Sequence, residues 1–225
     1  MEFVNVPYDK LKSDLKTGDL ILCHGMRKSS HISELLEGSF WSHVGMVILP
    51  KDIGLDYSEP MFWESNTLLN LPDLILNKPK TGPMMVDLEQ RLKTDVSDEY
   101  DNYFRLVSLK SSVTPMFSEE QLQALKAFIP EAQQCDFPEP DAREYMDYLA
   151  GKLLNLYVDK GEYFCSELAA NTFIHMNVMD WKRVPNAWMP KDFAKMHVPL
   201  IGPYRLELGP FIDIKNTTTA ETDIS

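Results

Sequence analysis

The 225-residue chain lacks the features that suit a membrane or a nucleic acid. It contains no run approaching the roughly 18 apolar residues that a spanning helix needs, so we expect no integral membrane association. Basic residues are also few, since 22 lysines and arginines stand against 34 acidic residues, a formal net charge of −12. Because like charges repel, nucleic acids and anionic membrane surfaces are poor candidate partners.

Cysteine is scarce as well, and its spacing matches no metal site or disulfide framework. Cys23, Cys135 and Cys165 are odd in number and form no CxxC pair, which favours a reducing compartment. The first fifteen residues lack the basic and apolar regions of an export signal, so we expect a cytoplasmic protein. No HExxH, EF-hand loop, Walker motif or GxGxxG occurs, and we therefore expect neither a metal nor a nucleotide cofactor.

The apolar pattern predicts both short strands and helices. Strands are expected at 20–23, 43–49, 61–66 and 103–109, with one or two more within 198–214, interrupted by Gly202-Pro203 and Gly209-Pro210. Helices are expected at 30–38, from a capping box at Ser118–Gln121 to Pro130, over 141–157, and from Cys165 onward. Helices grouped away from several strands indicate an α+β domain.

Cys165 is the first candidate for chemistry. A glycine turn at Gly161 leads directly into the predicted amphipathic helix, so the thiol should lie at or near the helix N-terminus. The helix dipole and the N–H groups there lower the pKa of a thiol and can hold a developing oxyanion. A cysteine on an apolar helix face can also be a small core residue, and its position alone leaves that alternative open.

His43 is the best-placed partner for a thiolate, which needs an imidazole to take its proton and later return one. It opens an apolar strand that gives the ring a rigid mount, and Gly45 is expected to leave room for a substrate or another backbone. The alternative is a hydrogen-bonded strand histidine without a catalytic role. The other histidines lie in presumed turns or on helices: His24, His31, His175 and His197.

Glu64 is the candidate for the third residue, which would fix the tautomer of the imidazole. It lies in the middle of the apolar segment 61–66, where burying a carboxylate without a partner is costly. A strand next to His43 would bring this carboxylate to the ring. The alternative is that Glu64 points outward from a half-exposed strand.

Four short motifs together resemble a known family. In chain order, TGDLIL at 17–22, SHVGMVI at 42–48, FWES at 62–65 and YFCSEL at 163–168 look like the YaeF/YiiX-type permuted papain-like cysteine hydrolases. That family is related to the NlpC cell-wall peptidases, a poxvirus branch and the lecithin:retinol acyltransferase group. The resemblance matches no pattern between Thr67 and Glu162.

The resemblance implies a circularly permuted papain-like (NlpC-like) fold, with an antiparallel sheet or small barrel packed against helices. We expect a single catalytic domain over 1–215 with a specificity insertion within 67–157, and from its polar composition a disordered tail over 216–225.

The resemblance also implies roles for individual residues. Carried over by position, Cys165 is the nucleophile, His43 the general base and Glu64 the orienting residue. Tyr163 is expected to line the site or help hold the oxyanion, with a packed tyrosine as the alternative. Trp41 and Trp63 are expected to wall a substrate groove, with a place in the core as the alternative.

The expected activity is that of a cysteine hydrolase that cleaves an amide or ester bond through an acyl-enzyme, without a cofactor. The expected substrate is a small peptide, such as one with a cell-wall-type amide bond, or else an amino-acid amide or an acyl compound. Two alternatives stay open: a lipid acyltransferase or deacylase of the lecithin:retinol acyltransferase type, and a non-catalytic binding protein on the same fold. Cys23 is the runner-up nucleophile, because unpermuted relatives place cysteine before histidine.

Overall fold

The computed structural model describes residues 4–24, 40–94, 103–138, 151, 153–157 and 161–215, which build one open, mixed sheet. Its seven strands are β1 Asn5–Pro7, β2 Leu20–His24, β3 His43–Ile48, β4 Met61–Asn66, β5 Gly82–Asp87, β6 Tyr103–Ser111 and β7 Tyr204–Asp213. They are ordered β1-β7-β6-β2-β3-β4-β5 across the sheet. β1 runs parallel to β7, and the other neighbouring pairs are antiparallel.

Helices cover both faces of this sheet. The described α-helices are α1 Tyr8–Leu11, α2 Pro50–Ile53, α3 Leu88–Thr94, α4 Glu119–Ala132, α5 Cys165–His175 and α6 Pro190–Ala194. Short 3₁₀ turns lie at Lys12–Asp14 and Pro185–Ala187. The α+β prediction is confirmed. No helix within the described ranges has the length and apolar character to cross a membrane.

Two hydrophobic cores lie on opposite faces of the sheet. Alternate residues of β2 separate between them: Leu20 and Leu22 join the core that contains α4 and α5, whereas Ile21 and Cys23 join the core beneath α1 and α3. This alternation is the side-chain period of a strand. Burial on both faces explains why β2 and β3 read as continuous apolar runs rather than as alternating patterns.

The strands expected at 20–23, 43–49, 61–66 and 103–109 are confirmed, with small differences at their ends. The helix that begins at Cys165 is confirmed as well. The helix expected at 30–38, most of the one at 141–157 and the tail over 216–225 lie outside the described residues.

The capping box at the start of α4 is confirmed, but the predicted end of this helix is wrong. Ser118 Oγ accepts the N–H of Gln121, and the Gln121 side chain accepts the N–H of Ser118. The helix continues past Pro130 to Ala132. Proline breaks a helix mainly by removing a hydrogen bond to the preceding turn. Here the buried Ile129 and Ala132 hold the last turn against the core.

The segment 198–214 contains one strand, β7 at Tyr204–Asp213, in line with the one or two expected, but the predicted interruption at Gly209-Pro210 is wrong. β7 passes through these residues with a register shift opposite Arg105 and Val107, which places the extra residue of a bulge on β7. A Cβ at Gly209 would lie 3.1 Å from Leu106, so glycine suits this close approach.

Two elements that the sequence did not predict, β5 and α3, lie within 67–157. β5 is an edge strand of the described sheet, which explains how Pro83 can belong to it. It pairs with β4 from Met61 to Asn66 and leads directly into α3. These two elements cover the part of the sheet that carries Glu64.

Candidate active site

Cys165 is the first residue of α5. The preceding residue, Phe164, has an extended backbone with φ −72° and ψ 160°, so the chain turns into the helix at the cysteine itself. Ser166 Oγ donates to the carbonyl of Trp188 at 2.8 Å and anchors the first turn. The Cys165 side chain is half-buried, whereas the next residues of the turn, Ser166 and Glu167, are buried.

The sulfur of Cys165 meets the amino end of β3. The ring of His43, the first residue of β3, is hydrogen-bonded to this sulfur. The backbone N–H groups of Val44 and Ser166 also donate to it. The structure thus brings together the two residues that the sequence proposed as nucleophile and general base, and it surrounds the sulfur with groups that stabilise a thiolate.

The strand arrangement explains how the helix reaches the imidazole. The described pairing of β3 with β4 runs from Ile48 opposite Met61 to Met46 opposite Trp63, and His43 lies beyond its end. There α5 packs against both strands. Ser65 Oγ donates to the carbonyl of Tyr163 and so joins β4 to the segment just before the cysteine.

Glu64 lies on the other side of the imidazole. Its Oε2 is 2.8 Å from His43 Nε2, which leaves Nδ1 as the nitrogen for the sulfur. Asn66 Nδ2 donates to the same carboxylate oxygen at 3.1 Å. Glu64 is fully buried, so the outward-facing alternative is wrong. The reason is that α3 and β5 cover this part of β4.

Arg91 is a member of the site that sequence reasoning missed. Its Nε donates to Glu64 Oε1 at 2.5 Å, and its Nη1 donates to Asn70 Oδ1 at 2.8 Å. The side chain is fully buried. The sequence carries a weak sign that Arg91 is buried, because Leu88, Arg91 and Leu92 follow the i, i+3, i+4 spacing of one helix face. This spacing does not show which carboxylate Arg91 meets.

The charges of these groups shift one another's pKa values. Burial alone would raise the pKa of the Cys165 thiol, but the His43 imidazolium, its hydrogen bond and the N–H groups of Val44 and Ser166 outweigh burial and hold this pKa below its ordinary range. Burial would lower the pKa of His43, yet the Cys165 thiolate and the Glu64 carboxylate raise it to about 10. Both shifts favour a thiolate–imidazolium pair near neutral pH.

The charge of Glu64 is stabilised from two sides. Burial alone would raise the pKa of this carboxyl group, but the Arg91 guanidinium and the His43 ring hold the pKa below its usual range, with a further hydrogen bond from Asn66. Glu64 therefore stays ionised and accepts hydrogen bonds from the imidazole and from the arginine at different oxygens.

Gly45 corrects one expectation from the sequence. The space over this glycine is filled by the ring of Phe62, since a Cβ at Gly45 would lie 2.3 Å from Phe62 Cζ. The Phe62 ring also lies edge-on to the His43 ring, with centroids 6.2 Å apart. Gly45 thus makes room for a buried side chain that packs against the imidazole, rather than for a substrate.

The two tryptophans occupy packing positions. Trp63 is 1% exposed, and its Nε1 donates to Thr172 Oγ1 of α5 at 3.0 Å. Trp41 is buried in the same core and stacks on Phe211 with ring centroids 6.1 Å apart. Both side chains are therefore core residues, which was the alternative expectation from the sequence. The helices that cover this face of the sheet bury them.

Tyr163 also packs, although it is half-buried and close in sequence to Cys165. Its ring lies edge-on against Phe128 of α4, with centroids 6.2 Å apart. Its side chain is hydrogen-bonded to Tyr157, and burial, reinforced by nearby charges and this hydrogen bond, raises its pKa. The backbone of Tyr163 serves the site more directly, through the hydrogen bond from Ser65.

The runner-up nucleophile, Cys23, lies next to His43 but away from solvent. The two residues are partners in the pairing of β2 with β3. Cys23 is 0% exposed and belongs to the core beneath α1 and α3. An acyl group could not reach its sulfur without opening the sheet, so Cys165 is the better candidate.

The remaining candidate histidines lie elsewhere. His24 stacks on Phe40, and His175 stacks on Phe128. His31 falls outside the described residues.

Within the described ranges, no group of three or more His, Cys, Asp or Glu side chains is placed to hold a metal ion. A comparison of the chain with models of known protein families and with curated proteins gives no match.

Proposed function

We propose that the protein is a cysteine hydrolase that cleaves an amide or ester bond through an acyl-enzyme. The observation that carries this proposal is the hydrogen bond between Cys165, at the start of α5, and His43, whose Nε2 is held by Glu64 at 2.8 Å. A nucleophile bonded to a base that is itself oriented by a third group is the arrangement that activates a thiol for acyl transfer.

The first half of the reaction forms a thioester. The Cys165 thiolate attacks the carbonyl carbon. The resulting oxyanion is stabilised at the N-terminus of the eleven-residue helix α5, whose first turn contains the N–H of Cys165. The bond to the leaving amine or alcohol then breaks. The leaving group takes a proton from the His43 imidazolium, which becomes neutral.

The second half releases the acyl group. Neutral His43 removes a proton from a water molecule as the oxygen of that water attacks the thioester carbon. The carbon–sulfur bond breaks, the acid product leaves, and the thiolate–imidazolium pair is restored. Glu64 keeps the Nε2–H of His43 engaged throughout, so that Nδ1 faces the reacting atoms.

We propose a circularly permuted papain-like architecture for this catalytic unit. Three features support it: the histidine strand β3 precedes the cysteine helix α5 in the chain, α5 packs against β3 and β4, and the sheet around them is antiparallel. The substrate that we propose is the amide of a short peptide. The net charge of −12 weighs against an anionic lipid surface.

Labelling with iodoacetamide tests the reactive pair without a substrate. Selective alkylation of Cys165 is expected at a pH well below the roughly 8.5 of an ordinary thiol, and His43→Ala should abolish that selectivity. Cys135→Ser is the matched control, because Cys135 is half-buried outside the site. If Cys23 or Cys135 labels first and His43→Ala changes nothing, the proposal is wrong.

Hydrolysis assays then test the substrate class. A panel of dipeptide amides and a series of p-nitrophenyl esters of increasing chain length are incubated with the protein, and intact mass spectrometry follows the acyl adduct. We expect turnover of the dipeptide amides and an adduct on Cys165 that is lost in Cys165→Ala. A preference for long acyl chains, with no amide cleavage, would overturn the peptide assignment in favour of lipid deacylation.

A further inference from the structure

We propose that Arg91 is a positioning residue that balances the charge of Glu64 and thereby sets the pH range of the reactive Cys165–His43 pair. This inference rests on the function proposed above, and it concerns a residue that does not itself touch the reacting atoms. Arg91 reaches the site from α3, a helix that contributes no other group to it among the contacts described.

The geometry that carries the inference is a chain of four charged groups of alternating sign. The Cys165 thiolate contacts the His43 imidazolium, the imidazolium contacts Glu64 Oε2 at 2.8 Å, and Glu64 Oε1 contacts Arg91 Nε at 2.5 Å. Their elements are α5, β3, β4 and α3. The four charges sum to zero in a place where the side chains of Glu64 and Arg91 are fully buried.

Each oxygen of the Glu64 carboxylate has its own partner. Oε1 accepts from Arg91, whereas Oε2 accepts from His43 and from Asn66. Arg91 is itself held by Asn70 Oδ1 at 2.8 Å. Because the arginine engages one oxygen, the carboxylate cannot rotate freely, and the other oxygen stays directed at the imidazole. Arg91 therefore fixes the direction of the His43 ring through Glu64.

The charge of Arg91 matters for the same reason. Without it, the buried carboxylate would be compensated by His43 alone, and the four-group set would carry a net negative charge when the thiolate forms. A buried charge without a partner is strongly unfavourable. Among the described residues, charge interactions link these groups in sequence. Cys165 and His43 act on each other, Glu64 acts on His43, and Arg91 acts on Glu64.

Opposite effects are thus expected from removing the charge of Arg91 and from removing the charge of Glu64. In Arg91→Met, the unbalanced Glu64 anion opposes formation of the Cys165 thiolate and holds the proton on His43. The titration of Cys165 and the titration of His43 should therefore both move to higher pH, by about one pH unit or more. In Glu64→Gln, the unbalanced Arg91 cation favours the thiolate and opposes the imidazolium, so both titrations should move to lower pH.

The decisive variant carries both changes. In the double variant Glu64→Gln/Arg91→Met, the two charges disappear together, while the glutamine oxygen can still accept from the imidazole. Both titrations should return close to their wild-type positions. A role for Arg91 in packing alone predicts no opposite shifts in the single variants and no return in the double variant.

The experiment measures the rate of Cys165 alkylation by iodoacetamide across acid to alkaline pH. One rise in rate reports formation of the thiolate–imidazolium pair, and a second change at higher pH reports loss of the His43 proton. Lys93→Met is the matched control, since Lys93 lies on the same helix with a half-exposed side chain that pairs with Glu89; its titrations should not move. Circular dichroism checks that each variant is folded.

Arg91→Lys separates charge from geometry. The lysine keeps the positive charge, so the titrations of Cys165 and His43 should stay near their wild-type positions. It lacks the planar, two-nitrogen geometry of the guanidinium, so the rate of Cys165 alkylation should fall. If Arg91→Met does not fold, the comparison of Glu64→Gln with the double variant makes the same test, because the shift in the first should vanish in the second.

The results distinguish this inference from the proposed function. If the wild-type protein shows no thiolate at low pH, the proposed function fails. Suppose instead that the wild-type protein forms the thiolate at low pH. If the folded Arg91 variants then leave both titrations unchanged, or the double variant does not restore the wild-type titrations, the role of Arg91 is overturned while the proposed function stands.

Discussion

Replacing Gly45 with alanine would displace the buried Phe62 ring that packs against the His43 imidazole. A Cβ at this position would lie 2.3, 2.5 and 2.8 Å from three ring atoms of Phe62. Carbon atoms pack at about 3.5–4.0 Å, so the ring must move by more than about 1 Å. Phe62 is fully buried, and its ring lies edge-on to that of His43, with centroids 6.2 Å apart.

The size of the effect follows from this overlap. Overpacking a well-packed core costs about 1–3 kcal/mol. For a domain of this size, about 2–4 °C of Tm is lost per kcal/mol, so Gly45→Ala should lower the Tm by about 2–12 °C. Because the displaced Phe62 ring presses on His43, alkylation of Cys165 near neutral pH should also slow.

Thermal unfolding and alkylation kinetics would be measured for Gly45→Ala, Phe62→Leu and the double variant. Leucine removes the ring atoms that would clash, so the double variant should be more stable than the sum of the two single losses predicts. The reasoning is refuted if Gly45→Ala keeps wild-type stability and reactivity, or if the two losses simply add.

Substitutions at three further positions test other contacts of the fold and site. Thr172→Val should lower the free energy of unfolding by about 1–3 kcal/mol in chemical denaturation, because Trp63 Nε1 loses its buried acceptor. Thr172→Ser keeps that acceptor and should cost less. Burial raises the pKa of Asp19 from 3.8 to about 6, so the folded state binds this proton more tightly and stability should fall as pH rises between these values. Asp19→Asn should remove that part of the pH dependence, and equal slopes in the two proteins would contradict this. Ser65→Ala removes the hydrogen bond to the Tyr163 carbonyl and should slow alkylation of Cys165 while changing Tm little.

Local patterns predicted much of the sheet and the start of two helices. The strands β2 and β3 are mostly apolar, β4 begins with the apolar run Met61–Trp63, and β6 alternates apolar or aromatic residues with polar ones. These patterns are short-range signals. The capping box at Ser118 likewise needs only four neighbouring residues. The helix end at Ala132 was not predictable from Pro130, because tertiary packing of the last turn decides it.

β5 and α3 escaped prediction because their sequences carry weak or contrary local signals. β5 begins Gly82-Pro83-Met84, which favours a turn, and it becomes a strand by pairing along β4 at the sheet edge. Arg91 of α3 looks like a surface residue by type, and its burial depends on the carboxylate that it meets. The partner of that carboxylate could therefore not be named from the sequence.

The sequence by itself determined where β2, β3, β4, β6 and α4 start, and that Cys165 lies at the first turn of a helix. Caps, turns and apolar periods act over a few neighbouring residues. Only the tertiary structure decided which sulfur meets His43 in reach of solvent, that Glu64 is buried, and that Arg91 balances its charge. These contacts join α5, β3, β4 and α3, so they depend on strand order, register and packing, which no local pattern specifies.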